Sequence, residues 1–112
     1  WKDGIASVAE CPNVVVKLGG IGMPRTGFDW HGRKVPIGSE ELAESIRPFF
    51  DYCIEHFGTE RSMFESNFPV DKVSFSYPVL YNAFKRYSKG FSDSERAVMF
   101  HNNAVDIYKI SI

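Results

Sequence analysis

At 112 residues the chain is the size of one domain, and with 44% hydrophobic and 15% aromatic residues it is rich enough to pack a core, which excludes a disordered segment. Its 13 basic and 14 acidic residues leave a formal charge of -1 with neither sign gathered into a block, so the electrostatic footprint of a nucleic-acid binder is missing. No apolar run approaches the roughly 20 residues of a bilayer span and no basic-then-apolar leader is seen, so a cytoplasmic protein with no membrane partner is expected. Cys11 and Cys53 form neither a CxxC nor a metal-like spacing and read as reduced, half-buried thiols.

Ile5, Val8 and Ala9 recur at helical spacing, and Cys11, Pro12 and Asn13 end that first short helix. Val14, Val15, Val16 and Leu18 follow as a β-branched run too short for a helix, expected to be a strand buried on both faces. Gly19, Gly20 and Gly22 close it, and a long loop holding Arg25, Phe28, Asp29, Trp30, His31 and Arg33 runs to Gly38. Loops of that length usually carry function or move.

Ser39 is the expected N-cap of the next helix, with Glu40 and Glu41 complementing its dipole. Leu42, Ile46, Phe49, Phe50, Cys53 and Phe57 then recur at steps of three and four up to Gly58, with Pro48 expected to kink the helix. A second strand is expected over Ser62 to Ser66, and a helix over Pro78 to Lys89 with Val79, Leu80, Ala83, Phe84 and Tyr87 on its buried face. Ser92 to Glu95 reads as a capping box opening the last helix, which His101 is expected to end.

Each strand follows one helix and precedes another, which is the grammar of βα units and an α/β fold with a parallel sheet. In such sheets ligand chemistry gathers at the carboxyl ends of the strands. The segment Arg61 to Lys72, RSMFESNFPVDK, passes there from Met63 and Phe64 into Glu65, Ser66, Asn67 and Asp71, as the rim of an active site would. The chain opens on Trp1 rather than Met and has only two clear strands, so it is expected to be part of something longer. A (β/α)8 barrel takes about 250 residues, and two strands are about a quarter of its eight.

The runs NVVVKLGGIGM from Asn13 and RSMFESNFPVDK from Arg61, with the closing HNNAVDIYKI from His101, resemble the carboxyl-terminal end of the amidohydrolase family 2 group of metal-dependent hydrolases. Within that superfamily the sequence is most similar to sugar-lactone and dicarboxylate-lactone hydrolases. The resemblance implies that residues 1–112 are the last two βα units, strands seven and eight with their helices, of a (β/α)8 TIM barrel that is incomplete on its own. The family's HxH pair and middle-strand ligands lie outside this sequence. The eighth strand of this superfamily usually ends in an aspartate, a metal ligand or general base toward the attacking water. Asn67 occupies that position here, and an amide neither takes up a proton at neutral pH nor makes a good anionic ligand. Asp71, four residues on, could reach the same pocket and act instead, or Asn67 could orient water or a substrate carbonyl without a metal. A divalent ion, zinc or manganese, is implied by the family.

The plainer readings stand beside these. Ser66 and Asn67 could simply end a strand, and Asp71 with Lys72 could be a solvated turn. His31 and Trp30, with Arg25 or Arg33, could bind a substrate carboxylate, or His31 could be an exposed loop histidine. His56 precedes Gly58 and reads as structural. Glu65, placed within the second strand, needs a partner such as Lys17 if it points inward, because an unpaired buried charge is costly.

The expected function is hydrolysis of a carboxylated or sugar lactone by an activated water, with Asn67 and Asp71 as catalytic residues and Arg25, Trp30, His31 and Ser66 as substrate contacts. The 112 residues alone are expected to be inactive and to need the remaining barrel strands or a partner chain. The alternatives are a decarboxylase on the same scaffold and a non-catalytic interaction module.

Overall fold

The computed structural model describes residues 1–112. The elements in order are α1 (Lys2–Ala9), β1 (Val16–Leu18), α2 (Ser39–Phe57), β2 (Ser62–Phe64), α3 (Tyr77–Tyr87), α4 (Asp93–Ala97) and α5 (Asn103–Tyr108), with short 3-10 turns between several of them. The two strands pair in parallel, Val16 opposite Ser62, Lys17 opposite Met63 and Leu18 opposite Phe64. That parallel pairing is what the alternation of helix and strand requires, because a parallel neighbour needs a crossover connection.

By internal contacts the chain divides into two compact units, the first comprising Trp1–Leu18, Pro48–Phe64 and Phe91–Ile112, the second Gly19–Arg47 and Glu65–Gly90. In the first unit, Leu18, Phe50, Cys53, Ile54, Phe57, Met63 and Met99 are buried. The Phe64 ring lies 4.5 Å from Phe100 and 6.2 Å from Phe50, offset and tilted as aromatic pairs prefer. Arg61 is the polar centre of this unit. Its guanidinium donates to the carbonyls of Phe57 (3.1 Å), Cys11 (3.0 Å), Val14 (3.1 Å), Ala9 (3.0 Å) and His56 (3.5 Å). It thereby satisfies carbonyls that the ends of α1 and α2 leave without helical partners. The Asn103 amide donates to the Thr59 and Ser62 carbonyls, each at 2.7 Å, tying α5 to the start of β2.

In the second unit, Ile37, Leu42, Ala43, Ile46, Phe75, Leu80, Ala83, Phe84 and Tyr87 are buried. Arg86 Nε donates to Ser39 Oγ at 3.0 Å, and the Arg47 guanidinium lies 5.2 Å from the Tyr87 ring centre.

Several expectations shift at the element ends. The first strand begins at Val16 rather than Val14, and Lys17 within it is exposed, so it is not apolar on both faces. The second strand stops at Phe64, which puts Glu65 and Ser66 in the following loop. Ser39 is the first residue of α2 rather than its cap, and Pro48 lies inside α2. The long loop contains 3-10 turns at Pro24–Thr26 and Trp30–Gly32. The last helix is not ended by His101: α4 passes through a π turn, Val98–Asn102, into α5. The Ser92 capping box is present as expected, and Ser76 caps α3 by accepting from the Val79 N–H. Phe49 is exposed rather than part of the core, Cys11 is exposed and Cys53 buried, and neither thiol is in a disulfide.

Candidate functional site

Beyond β1 the chain runs through Gly19 to Met23, and beyond β2 through Glu65 to Phe75; both segments belong to the second unit. They meet closely because glycine sits where they touch. A Cβ on Gly19 would overlap the Glu65 side chain and carbonyl. One on Gly22 would stand 2.8 Å from Phe75 Cζ and 2.9 Å from Asp71 Cβ. Gly20 has a left-handed backbone, φ 72, and its Cβ position lies 3.8 Å from Asn67 Nδ2 and from Glu65 Oε1. Glu65 and Asn67 therefore flank the same glycine.

Asn67 also adopts the left-handed region, φ 54, which Asn tolerates better than most residues, and a cis Phe68–Pro69 bond follows it. Its carbonyl accepts from the Asp71 N–H at 3.1 Å, closing one turn. That turn brings Asn67 Nδ2 within 2.7 Å of Asp71 Oδ1, to which it donates. The other carboxylate oxygen, Asp71 Oδ2, accepts from the Gly22 N–H at 3.0 Å. Asp71 is fully buried, and both its oxygens are thus occupied by N–H donors of the chain. Ser74 completes the clasp: its N–H donates to the Asp71 carbonyl at 3.0 Å and its hydroxyl donates to the Gly22 carbonyl.

Of the six residues singled out from sequence, the fold brings Asn67 and Asp71 into direct contact. Ser66 adjoins them, and its Oγ accepts from the Phe68 N–H at 3.2 Å. Trp30 is buried, stacked on Phe28 at 4.2 Å and 5°, and lies 6.0 Å from Phe75. Arg25 and His31 are exposed on the two 3-10 turns, and neither hydrogen-bonds to the Asn67–Asp71 pair. His56 Nδ1 pairs with the Tyr52 carbonyl at 2.9 Å in the first unit.

Sequence reasoning passed over Gly22, Ser74 and Tyr81. Gly22 was signalled only as the third glycine after β1, and Ser74 only by its spacing of three from Asp71. Burial pushes the Tyr81 phenol up to about 12, with further contributions from its hydrogen bond to Tyr77, the Tyr77 charge and the Glu65 carboxylate. Glu65 and Asn67 are polar side chains on the segment that leaves β2, and Tyr81 lies on α3.

The residues present do not fit a metal ion. No group of three or more His, Cys, Asp or Glu side chains is arranged to hold one. Asp71, the one carboxylate in the clasp, has both oxygens engaged, and Asn67 contributes only a neutral amide. What the arrangement offers is a half-buried amide at a fixed orientation beside a carboxylate, Glu65.

Comparison with known proteins gives the following. A family model described as amidohydrolase matches residues 1–110. An uncharacterised protein, y4mH, of Sinorhizobium fredii (strain NBRC 101917 / NGR234) is 41% identical over 110 residues, covering 98% of this chain and 33% of its own. An L-fucono-1,5-lactonase of Burkholderia multivorans (strain ATCC 17616 / 249) is 27% identical over 111 residues, covering 98% and 35%. Crystal structures of an amidohydrolase from Burkholderia multivorans, one with bound HEPES and one with bound zinc, superpose with a TM-score of 0.83 at 26% identity, over 99% of this chain and 37% of theirs. The chain spans about a third of the length of the curated relatives it matches.

Proposed function

The chain belongs to the amidohydrolase family, and from that premise we propose that residues 1–112 supply the seventh and eighth strands, with their helices, of a single barrel domain that hydrolyses a sugar lactone or dicarboxylate lactone. Water adds to the lactone carbonyl, the ring C–O bond breaks, and a hydroxy acid results. Within this chain, Asn67 takes the rim position after β2 and orients the attacking water or the substrate. It does not accept the proton, because an amide is not a base at neutral pH. The observation that supports the reading is the Asn67–Asp71 contact of 2.7 Å, which fixes a polar side chain at the strand end where barrel enzymes keep their chemistry. The lactonase relative supports the substrate class. Zinc is present in a solved relative, but the side chains of this chain do not make a site for it, so no step is routed through a metal here. The free thiols and the lack of any helix long and apolar enough to cross a membrane are compatible with a cytoplasmic setting.

The test is turnover by the protein as its open reading frame encodes it, against a panel of 1,5-sugar lactones and dicarboxylate lactones, followed by proton release. Hydrolysis above background, falling roughly 10- to 100-fold in kcat for Asn67→Ala, is expected. A folded protein that opens no lactone in the panel would sink the reading.

A further inference from the structure

The Asp71 carboxylate does more than hold two loops together, because it dictates which way the Asn67 amide faces. Carboxylate oxygens only accept hydrogen bonds, and here one is taken by the Gly22 N–H at 3.0 Å and the other by Asn67 at 2.7 Å. The carboxylate is held from all sides. Gly22 has no room for a Cβ, its carbonyl accepts from Ser74, and the Asp71 backbone is bonded to Asn67 and Ser74. An amide facing a fixed acceptor must present its NH2 to it, which leaves its oxygen pointing the other way. Asn67 Oδ1 makes no hydrogen bond within the chain, and the one buried side-chain polar atom without a partner is Arg96 Nε, so Oδ1 is not a sealed orphan.

We infer that Asp71 is a positioning residue that locks the Asn67 amide with its oxygen toward the ligand, so the group received at that oxygen is a hydrogen-bond donor, a water or a hydroxyl. The ligand's identity rests on the lactone reading above; the polarity of the clasp does not. The same geometry gives a physical reason for Asn at this position. An aspartate at 67 would set acceptor against acceptor across the 2.7 Å contact, beside a carboxylate with no donor to spare.

Exchanging the two side chains tests this in the protein as encoded. Asn67→Asp is expected to lower the thermal midpoint by roughly 5 °C, since two acceptors then face each other. Asp71→Asn is expected to change it by less than about 2 °C, because the Asn67 amide can turn over and offer its oxygen to the new NH2. The double exchange N67D/D71N restores complementarity in reverse, and its midpoint is expected within about 2 °C of the parent. A second readout follows the amide itself. The Asn67 NH2 protons should exchange slowly with solvent in the parent and at least about tenfold faster in Asp71→Asn, where they face outward. A space-filling role alone would leave these near-isosteric single exchanges silent or make their losses additive, and either result overturns the inference. Equal NH2 exchange in the parent and Asp71→Asn overturns it too. If Asn67→Asp fails to fold, a folded double exchange still supports the polarity, and an unfolded one refutes it. A cycle that behaves as expected in a protein that opens no lactone removes only the functional reading.

Discussion

At the scale of single residues, the site depends on groups whose chemistry is set by immediate neighbours. Tyr81 is the clearest case: its phenol is pushed up to about 12, first by burial, then by Tyr77 and the Glu65 carboxylate. The native state therefore keeps a proton that the unfolded chain loses near the ordinary tyrosine value of roughly 10. Its contribution to stability is complete below that value and is lost as pH rises from about 10 toward 12. Phenolate absorbance followed against pH should show one tyrosine ionising well after the rest, and Glu65→Gln should bring it part of the way back. A Tyr81 that titrates with the others would contradict the burial of its phenol. Asn67 and Asp71 were both legible in the sequence as polar residues after a strand. Their mutual orientation was not, because it depends on the Gly22 N–H 49 residues away along the chain.

At the scale of elements, Arg61 joins pieces that local propensity cannot place. It donates to five carbonyls drawn from the ends of α1 and α2 and the approach to β1. Arg61→Ala would leave several of them unpaired and is expected to cost about 3 kcal/mol or more. Arg61→Lys keeps the charge but not the planar fork of donors, and is expected to recover less than half of that loss. Chemical denaturation of both variants checks the order, and a lysine variant as stable as the parent would show that charge alone suffices. The helices were well read from periodicity because their apolar faces repeat every three to four residues, and the Ser92 capping box was read because its four residues are local. The strand limits were read less well. Val14 and Val15 are as β-branched as Val16, yet the ladder starts at Val16, where Ser62 lies opposite. The π turn at Val98–Asn102 left no composition signal either.

At the scale of the whole molecule, two parallel strands cannot close a barrel, which takes eight. On the barrel reading proposed above, the 112 residues alone are accordingly expected to open no lactone. Turnover by the isolated 112 residues would overturn the barrel reading. Sequence by itself determined the α/β class and the parallel order, which follow from short-range periodicity, and the family, which follows from the resemblance of three short runs. Only the tertiary structure decided that Asp71 is sealed, that Trp30 packs on Phe28 while Arg25 and His31 stay exposed, and that the Asn67 amide donates to Asp71. Burial and hydrogen-bond polarity are properties of what lies across a contact, and here Gly22 and Asp71 meet across a gap that no local pattern in the chain encodes.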